Sequence, residues 1–310
     1  MKPFYPLMKS IVSLVFLLFP SSFVHSQTET ETFWQDSLRV YERQLKNLGD
    51  SLLDSRSVFV RQKSAKDIIS TLRRTLRIPG SYDYPFDSVR YMSKLRPEDD
   101  KFRLFCWVLR ISRGNYRYFG VIHVNDPKRF VYHPLFDRSV NERPTIGDEI
   151  GPNDGLVDSV FTNKNWFGML YYSIRMVEEK RFFGLKKKTY YTLLAKDLNN
   201  DISHKKIVDL LYFEQGTPVF GAPIFRFGNK MQSRVVLEYS AQATSTLHVH
   251  ESDQVISFDR LMAPKAKNEK DKFTHIPSGI YDYIKWENGE WVFYKDLFAN
   301  YTKKVKDANN

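Results

Sequence analysis

Residues 281–294 read Tyr-Asp-Tyr-Ile-Lys-Trp-Glu-Asn-Gly-Glu-Trp-Val-Phe-Tyr, two aromatic segments joined by Asn288 and Gly289. A tight hairpin turn needs positive φ at its two central residues, and Asn and Gly adopt that conformation most readily. An Asn-Gly pair between segments that alternate aromatic and polar residues is therefore a strong signature of a β-hairpin. The pattern predicts two antiparallel strands near the end of the chain.

Ahead of this hairpin, strand-like segments follow one another with turn residues between them, as at Arg113-Gly114-Asn115. We find no repeat of fixed period, which argues against a propeller or a solenoid. The pattern predicts a large antiparallel sheet or an open barrel. The predicted strands cover residues 101–112, 116–124, 130–136, 166–178, 187–196, 206–214, 218–226, 233–241, 246–250 and 254–260.

The segment 27–80 has the periodicity of helices. Thr32 and Gln35 form a capping-box pattern at the start of a first helix, and Gly49 is a suitable stop. A second helix is predicted over residues 64–77 and ends at Pro79-Gly80. The first helix carries one apolar stripe, which we expect to pack on the protein's own sheet, with a short coiled coil as the alternative. The stripe consists of Trp34, Leu38, Tyr41, Leu45 and Leu48.

These patterns together predict an α+β fold that is predominantly antiparallel β, with an N-terminal helical segment. We expect a signal peptide at 1–26, the helical segment at 27–80, an antiparallel β domain at 81–300 and a basic tail at 301–310. Residues 137–165 are rich in Gly, Pro, Asn and Asp and are predicted to form a long loop. Loops of that length are often functional.

The first 26 residues have the features of a cleaved export signal. Lys2 and Lys9 give a positive start, an apolar run covers residues 11–19, and a small residue, Ser26, precedes Gln27. The apolar run is about half the length that a membrane-spanning helix needs. We therefore predict that the protein is periplasmic or secreted, and that the mature chain is not integral to a membrane.

The chain is basic, with 47 Lys and Arg against 36 Asp and Glu and a formal net charge of +11. Because the predicted signal contains two lysines and no acidic residue, the mature charge is +9. Such a charge attracts polyanions, including acidic glycans. The basic residues are scattered along the chain, so a solvated basic surface is the simpler interpretation. We expect no specific nucleic-acid partner.

Cys106 is the single cysteine of the chain and lies among large apolar residues of a predicted strand. One cysteine cannot form an internal disulfide, so the hydrophobic core has to supply the stability. A catalytic thiol needs a base within reach, usually at a turn or a helix start. We expect Cys106 to be buried and unreactive.

Familiar catalytic motifs are absent from the sequence, including G-x-S-x-G, H-E-x-x-H, the Walker loop and G-x-G-x-x-G. Ser203-His204-Lys205-Lys206 matches S-x-x-K by spelling but lacks the companion motifs of that enzyme class. Asp148-Glu149, in the long loop, is the acidic pair that would best suit glycoside hydrolysis. We expect no cofactor.

His248 and His250 have the spacing of a metal-chelating pair. Side chains two residues apart on a strand point the same way, so these imidazoles can bind one transition-metal ion. A catalytic metal site needs a third ligand. The candidates for this third ligand are His123, His133, His204 and His275.

Asp197, Asn199 and Asp201 resemble the oxygen-rich start of a calcium-binding loop, D-x-N-x-D. The calcium-loop pattern then requires Gly at position six and Glu at position twelve, where this chain has Ile202 and Val208. Asp and Asn also occupy turns because their side chains cap nearby backbone groups. The sequence leaves open a cation site and an ordinary hairpin turn.

Aromatic residues make up 15% of the chain, a proportion that suits β-sheet surfaces. Some of them are candidates for a platform on which a sugar ring stacks. Core packing and cross-strand pairing are the alternative explanation. The candidates are Trp166, Tyr281, Tyr283, Trp286 and Trp291.

Three further segments carry a family resemblance: 78–88 (Ile-Pro-Gly-Ser-Tyr-Asp-Tyr-Pro-Phe-Asp-Ser), 190–194 (Tyr-Tyr-Thr-Leu-Leu) and 218–225 (Pro-Val-Phe-Gly-Ala-Pro-Ile-Phe). With the closing hairpin, they resemble a family of uncharacterised exported proteins found in Bacteroidetes, over about residues 60–295. The resemblance implies export and an envelope location, and it brings no activity, cofactor or catalytic residue. In such bacteria, Asp-Ser before an apolar residue resembles an O-glycan acceptor, as at Asp36-Ser37, Asp50-Ser51, Asp87-Ser88 and Asp158-Ser159.

We therefore expect a non-enzymatic envelope or secreted protein that binds a glycan or an envelope protein through its sheet face and loops. One alternative is a periplasmic hydrolase that uses carboxylates or the H-x-H metal site. Another is a structural subunit of an envelope assembly that docks through the first helix. A cluster of exposed aromatic residues beside Lys or Arg would favour the binding protein.

Overall fold

A computed structural model describes residues 22–139, 156–179, 188–250, 254–263 and 275–299, with side chains from residue 31 onward. Two helices come first, α1 (Ser22–Asp54) and α2 (Val58–Thr75). No described helix is long and apolar enough to cross a membrane. The described strands are β1 (Ser93–Leu95), β2 (Phe102–Ser112), β3 (Asn115–Val124), β4 (Val131–Leu135), β5 (Phe161–Thr162), β6 (Leu170–Glu178), β7 (Thr189–Asp197), β8 (Ser203–Glu214), β9 (Thr217–Phe220), β10 (Phe225–Phe227), β11 (Lys230–Gln232), β12 (Val235–Ser240), β13 (Leu247–His250), β14 (Val255–Met262), β15 (Ile276–Glu287) and β16 (Glu290–Tyr294).

The first helix extends beyond both of its predicted ends. It already includes residues 27–31, whose Gln and Glu favour helix, so Thr32 does not start it. It also continues through Gly49 to Asp54, and the predicted stop is wrong. A Cβ at position 49 would lie 1.9 Å from Cδ1 of Tyr91. This glycine therefore makes room for an aromatic ring instead of ending the helix.

The second helix starts at Val58, ahead of the predicted residue 64. Ser57 caps it, since the Ser57 hydroxyl accepts a hydrogen bond from the backbone N–H of Val60 at 3.4 Å. The helix ends at Thr75, before Pro79-Gly80. Its buried side includes Ala65, Ile68 and Leu72, which pack with α1 and with the sheet below.

The described strands form three sheets. The first sheet has the order β1-β2-β3-β4, and the third has the order β11-β10-β16-β15-β14-β13. The central sheet has the order β5-β9-β8-β7-β6, with β12 also paired to β8. The strand pairs are antiparallel apart from β10 and β16. The hairpin predicted at 281–294 is confirmed, with Trp286 opposite Trp291 and positive φ at Asn288 and Gly289.

The helices and the three sheets stack as four layers. The helices pack on the outer face of the first sheet, against Phe105 and Trp107. The inner face of the first sheet packs on the central sheet, and the other face of the central sheet packs on the third. The α+β class, mostly antiparallel β with an N-terminal helical segment, is confirmed. The strands divide into three stacked sheets instead of one large sheet or a barrel.

Two buried features belong to this layered core. Cys106 is fully buried beside Gly120, and burial raises the pKa of its thiol, in agreement with an unreactive role. Arg234 and Asp209 form a buried ion pair, with Arg234 Nε 3.1 Å from Asp209 Oδ1. The Arg234 guanidinium also donates to the carbonyls of Leu156, Ser159 and Phe220. These bonds join residues 156–159, which belong to no strand, to the central sheet.

Candidate functional site

The outer face of the first sheet is only partly covered by helix. α2 packs across β2, and the outward side chains of the edge strand β4 lie beyond it. Pro134 in this strand is typical of a sheet edge, where the missing N–H breaks no ladder bond. A groove of about 250 Å³ lies here. We call it the aromatic groove; the side chains that line it include Ile69, Trp107, Phe119, Tyr132, Pro134 and Phe136.

The floor of the aromatic groove is a set of packed rings. Trp107 and Phe119 are cross-strand partners and stack with centroids 5.6 Å apart and planes at 13°. Phe119 and Tyr132 are half-buried, and Phe136 is 54% exposed. Trp107 is 1% exposed, and neither its Nε1 nor the Tyr132 hydroxyl has a hydrogen-bond partner among the described residues. The groove therefore offers apolar surface, while the two polar atoms are buried beneath it.

One wall of the groove is basic. Four cations of α2 and the residues after it line an adjoining cavity of about 630 Å³, which shares Ile69 with the aromatic groove. We call them the basic ridge; they are Lys66, Arg73, Arg74 and Arg77. The Arg77 guanidinium lies 5.2 Å from the centroid of the Phe130 ring. Burial raises the pKa of Tyr132, while the nearby Arg73 acts against that rise. Arg117 on β3 also lines the aromatic groove.

The acidic residue at the groove is already engaged by the backbone. Asp137 accepts hydrogen bonds from the N–H groups of Tyr118 at 2.9 Å, Ser139 at 2.9 Å and Gly168 at 3.1 Å. None of the basic-ridge cations forms a salt bridge within the part of the chain that the structure describes. The groove therefore combines aromatic surface with uncompensated positive charge.

The aromatic residues named from the sequence do not form one platform. Trp166 is 0% and Trp291 1% exposed, and their indole N–H groups donate to Tyr171 Oη and Thr192 Oγ1, each at 3.1 Å. Both are core residues, so the prediction that a sugar ring stacks on them is wrong. Trp286 is half-buried and points to the core side, 5.5 Å from Trp291. Alternation along β15 places Tyr281 and Tyr283 on the opposite face.

The two histidines of the H-x-H motif lie close together, but the described residues do not complete a metal site around them. His248 and His250 lie on β13 with ring centroids 4.9 Å apart. His250 Nε2 is 2.8 Å from the Ser257 hydroxyl. No group of three His, Cys, Asp or Glu suited to a metal occurs among the described residues. The proposed third ligands lie elsewhere: His123 and His133 in the first sheet, His204 beside Tyr239, and His275 next to the end of β12.

The Asp197–Asn199–Asp201 segment is a hairpin turn between β7 and β8. Asp197 Oδ1 accepts from the Asn199 N–H at 2.8 Å, and Asn199 has a positive φ of 45°. Asp201 is exposed, and its Oδ2 lies 3.9 Å from Arg113 Nε. Lys205, which pairs with Asp197 across the two strands, is buried, and its Nζ lies 3.8 Å from Glu238 Oε2. Asp197 Oδ1 also accepts from the Tyr118 hydroxyl at 3.0 Å, and Asn199 Nδ2 donates to Glu238 at 3.2 Å. The three side chains therefore have different partners, and the described residues do not show them holding one shared cation.

Some sequence predictions fall outside the described residues. The Asp148-Glu149 pair, the basic tail 301–310 and most of the predicted signal belong to this group.

In the S-x-x-K match Ser203-His204-Lys205-Lys206, the serine hydroxyl donates to Glu238, and Lys206 Nζ lies 3.4 Å from Tyr172 Oη. The two side chains therefore have separate structural partners.

Comparison with known proteins adds no relative: no family model, curated protein or solved structure matches this chain.

The aromatic groove was not anticipated from the sequence. A signal was present, since Phe130, Tyr132, Pro134 and Phe136 alternate along one strand. That α2 leaves this face open is a property of the tertiary structure.

Proposed function

We propose that this chain is a non-enzymatic, exported binding protein, and that its ligand is an acidic, partly apolar segment of a partner protein. The ligand lies in the aromatic groove, against the basic ridge. The observation that carries the proposal is the combination of partly exposed aromatic rings with cations that lack acidic partners among the described residues.

The composition of the groove supports a protein ligand. Tyr, Trp, Phe and Arg are enriched in protein interfaces and supply most of their binding energy. Phe119, Tyr132 and Phe136 retain apolar surface that a ligand can remove from water, at about 25 cal/mol per Å². The basic ridge favours carboxylates over lysines in the ligand and speeds the encounter.

The dimensions suit a short extended peptide. The basic ridge extends from Lys66 to Arg77 along α2 and its continuation. At about 1.5 Å per residue, this segment is roughly 16 Å long. An extended chain of about five residues covers that length at roughly 3.3 Å per residue.

Fluorescence anisotropy with three labelled pentapeptides tests the proposal. We expect Glu-Phe-Glu-Phe-Glu to bind, and Lys-Phe-Lys-Phe-Lys and Glu-Ser-Glu-Ser-Glu to bind at least about tenfold more weakly. Arg73→Glu and Phe136→Ser should each weaken the binding of the first peptide by about tenfold or more. Both residues are exposed, so neither change threatens the fold.

Arg56→Glu is the matched control, because Arg56 is an exposed arginine outside the groove. Equal weakening by Arg56→Glu and Arg73→Glu would show that the peptide responds to the overall charge of the protein and not to the basic ridge. Binding of the lysine peptide as tightly as the glutamate peptide would overturn the charge argument.

The other functional hypotheses lack support from the described residues. The assembly hypothesis relied on the apolar stripe of α1, but Leu38 and Leu45 are fully buried in the protein's own fold. The carboxylate hydrolase relied on Asp148-Glu149, outside the described residues, and stays a prediction. The envelope location and the family resemblance also remain proposals.

A further inference from the structure

The connection between α1 and α2 exposes a group of apolar side chains that are near one another in the chain. Phe59 is 74% exposed, the highest value among the large apolar side chains that the structure describes, and Leu53 is 61% exposed. Val58 and Val60 add 38% and 39%. Single exposed apolar residues are ordinary, but contiguous ones mark a contact surface. We call this cluster the helical tip; it consists of Leu53, Val58, Phe59 and Val60.

The helical tip is held in place by Arg61. Its guanidinium donates to the carbonyls of Ser55 at 2.6 Å and Arg56 at 3.1 Å, which fixes the connection between the helices. It also donates to the carbonyls of Arg110 at 3.0 Å and Ile111 at 3.1 Å on β2. The connection is thus bonded to the end of the first sheet, and its apolar side chains are presented in a defined arrangement.

Arginines lie on the side of the helical tip that carries Leu53. Arg56, Arg61, Arg110 and Arg113 line a depression beside it, together with Asp54. Arg113 has an 82% exposed side chain and lies 3.9 Å from Asp201. Four cations against these two acids leave an excess of positive charge beside the tip.

We infer that the helical tip is a contact for an anionic lipid surface, with Phe59 and Leu53 entering the interface and Arg56, Arg110 and Arg113 meeting phosphate head groups. Apolar side chains combined with cations are the chemistry by which peripheral proteins bind anionic membranes. Arginine stems can also lie along apolar surface while their charged ends meet the head groups.

A protein partner fits this surface less well. A stable protein interface buries about 800 Å² on each side, and four side chains at a helix connection fall short of that area. A lipid surface needs no complementary shape. The helical tip and the aromatic groove use different residues, so this inference is independent of the proposed function.

A fluorophore placed at the tip gives the test. Cys106 is buried, so Phe59→Cys creates one reactive thiol, to which an environment-sensitive dye is attached in the full-length chain. Vesicles of phosphatidylglycerol mixed with phosphatidylcholine should shift the dye emission to the blue, and phosphatidylcholine alone should shift it far less. The same dye at Phe33→Cys is the matched control, because Phe33 is 60% exposed on α1, well away from the tip.

Vesicle sedimentation complements the fluorescence. We expect Phe59→Ser and Arg113→Glu each to weaken binding to anionic vesicles by about tenfold, whereas Phe136→Ser in the aromatic groove leaves it unchanged. The inference is overturned if the Phe59 position shows no blue shift, or if the Phe33 position shows an equal one. Loss of vesicle binding through Phe136→Ser alone would assign lipid contact to the groove instead.

Discussion

His123 illustrates how one residue responds to the layer that covers it. It is 6% exposed on β3, with the rings of Tyr82 and Phe130 5.4 and 5.5 Å away. Burial, together with the positive charge of Arg103, lowers its pKa to about 4. Its Nδ1 has no hydrogen-bond partner among the described residues. The imidazole is therefore a neutral core residue and not the metal ligand that the sequence allowed.

His123 should make the protein less stable in mild acid. Between the ordinary pKa of 6.5 and the folded-state pKa of about 4, the unfolded chain binds a proton that the folded protein does not. The free energy of unfolding contributed by this residue therefore falls as the pH drops through that interval, by up to about 3 kcal/mol.

Urea denaturation at several pH values between 7 and about 4 measures this effect. His123→Phe removes the titration and should flatten the curve, while an exposed-histidine control, His248→Gln, should keep the wild-type slope. A His123→Phe protein with the wild-type pH dependence would show that other groups cause the loss.

At the scale of elements, β7 and β8 contain a like-charged cross-strand pair. Lys196 and Lys206 are directly opposite each other in the antiparallel register, and both are half-buried. Lys206 Nζ lies 4.6 Å from the centroid of the Tyr172 ring. Burial, and then the charge of Lys196, lowers the pKa of Lys206. Like charges directly opposite each other destabilise a sheet.

Lys196→Glu should stabilise the protein at neutral pH by about 0.5–1 kcal/mol, because it converts a repulsive pair into an attractive one. In the wild type, the lowered pKa of Lys206 means that stability rises as the pH increases from that pKa towards 10.5. The variant should lose part of this rise. Denaturant unfolding at pH 7 and pH 10 measures both effects, with the exposed Lys164→Glu as a control. A less stable Lys196→Glu protein would contradict the pairing argument.

At the scale of the whole molecule, the helices and the first sheet share one hydrophobic cluster. Leu45, Leu52 and Leu72 from the helices pack with Phe105 and Val121 from the strands. The boundary predicted at residue 80 therefore separates regions of sequence that share a core. The sheets behind them are linked in turn by their own buried clusters.

Leu72→Ala should lower the stability of the whole molecule by about 2–5 kcal/mol, because it leaves a cavity in the shared cluster. Far-ultraviolet circular dichroism follows the helices, and tryptophan fluorescence in a Trp34→Phe background, which removes the tryptophan on α1, follows the sheets. Both signals should shift to the same lower urea midpoint. Val40→Ala is the control, since Val40 is 50% exposed on α1. A shift confined to the helical signal would show that the helices unfold independently.

Several features were predictable because they depend on neighbours in the chain. Asn288 and Gly289 predicted a hairpin through their backbone freedom, and the alternating apolar residues predicted most strands. Gly49 shows the limit of such reasoning. Its sequence context predicts a helix stop, but a ring from Tyr91, distant in the chain, needs the missing Cβ.

The candidate site was less predictable than the fold. Trp166 and Trp291 had the residue type of a sugar platform, yet stacked sheets cover both of them. The rings of the aromatic groove had the same alternation as core strands. Residue type indicates what a side chain can contact, whereas its exposure depends on which layer lies above it.

The sequence by itself determined the α+β class, the closing hairpin and the basic, aromatic character of the chain, because local backbone preferences and periodicity are written in consecutive residues. Only the tertiary structure decided that the strands stack as three sheets, that α2 leaves the edge of the first sheet uncovered, and that Phe59 stands exposed at the helical tip. Those outcomes depend on contacts between residues far apart in the chain, and the burial of each side chain follows from the sum of such contacts.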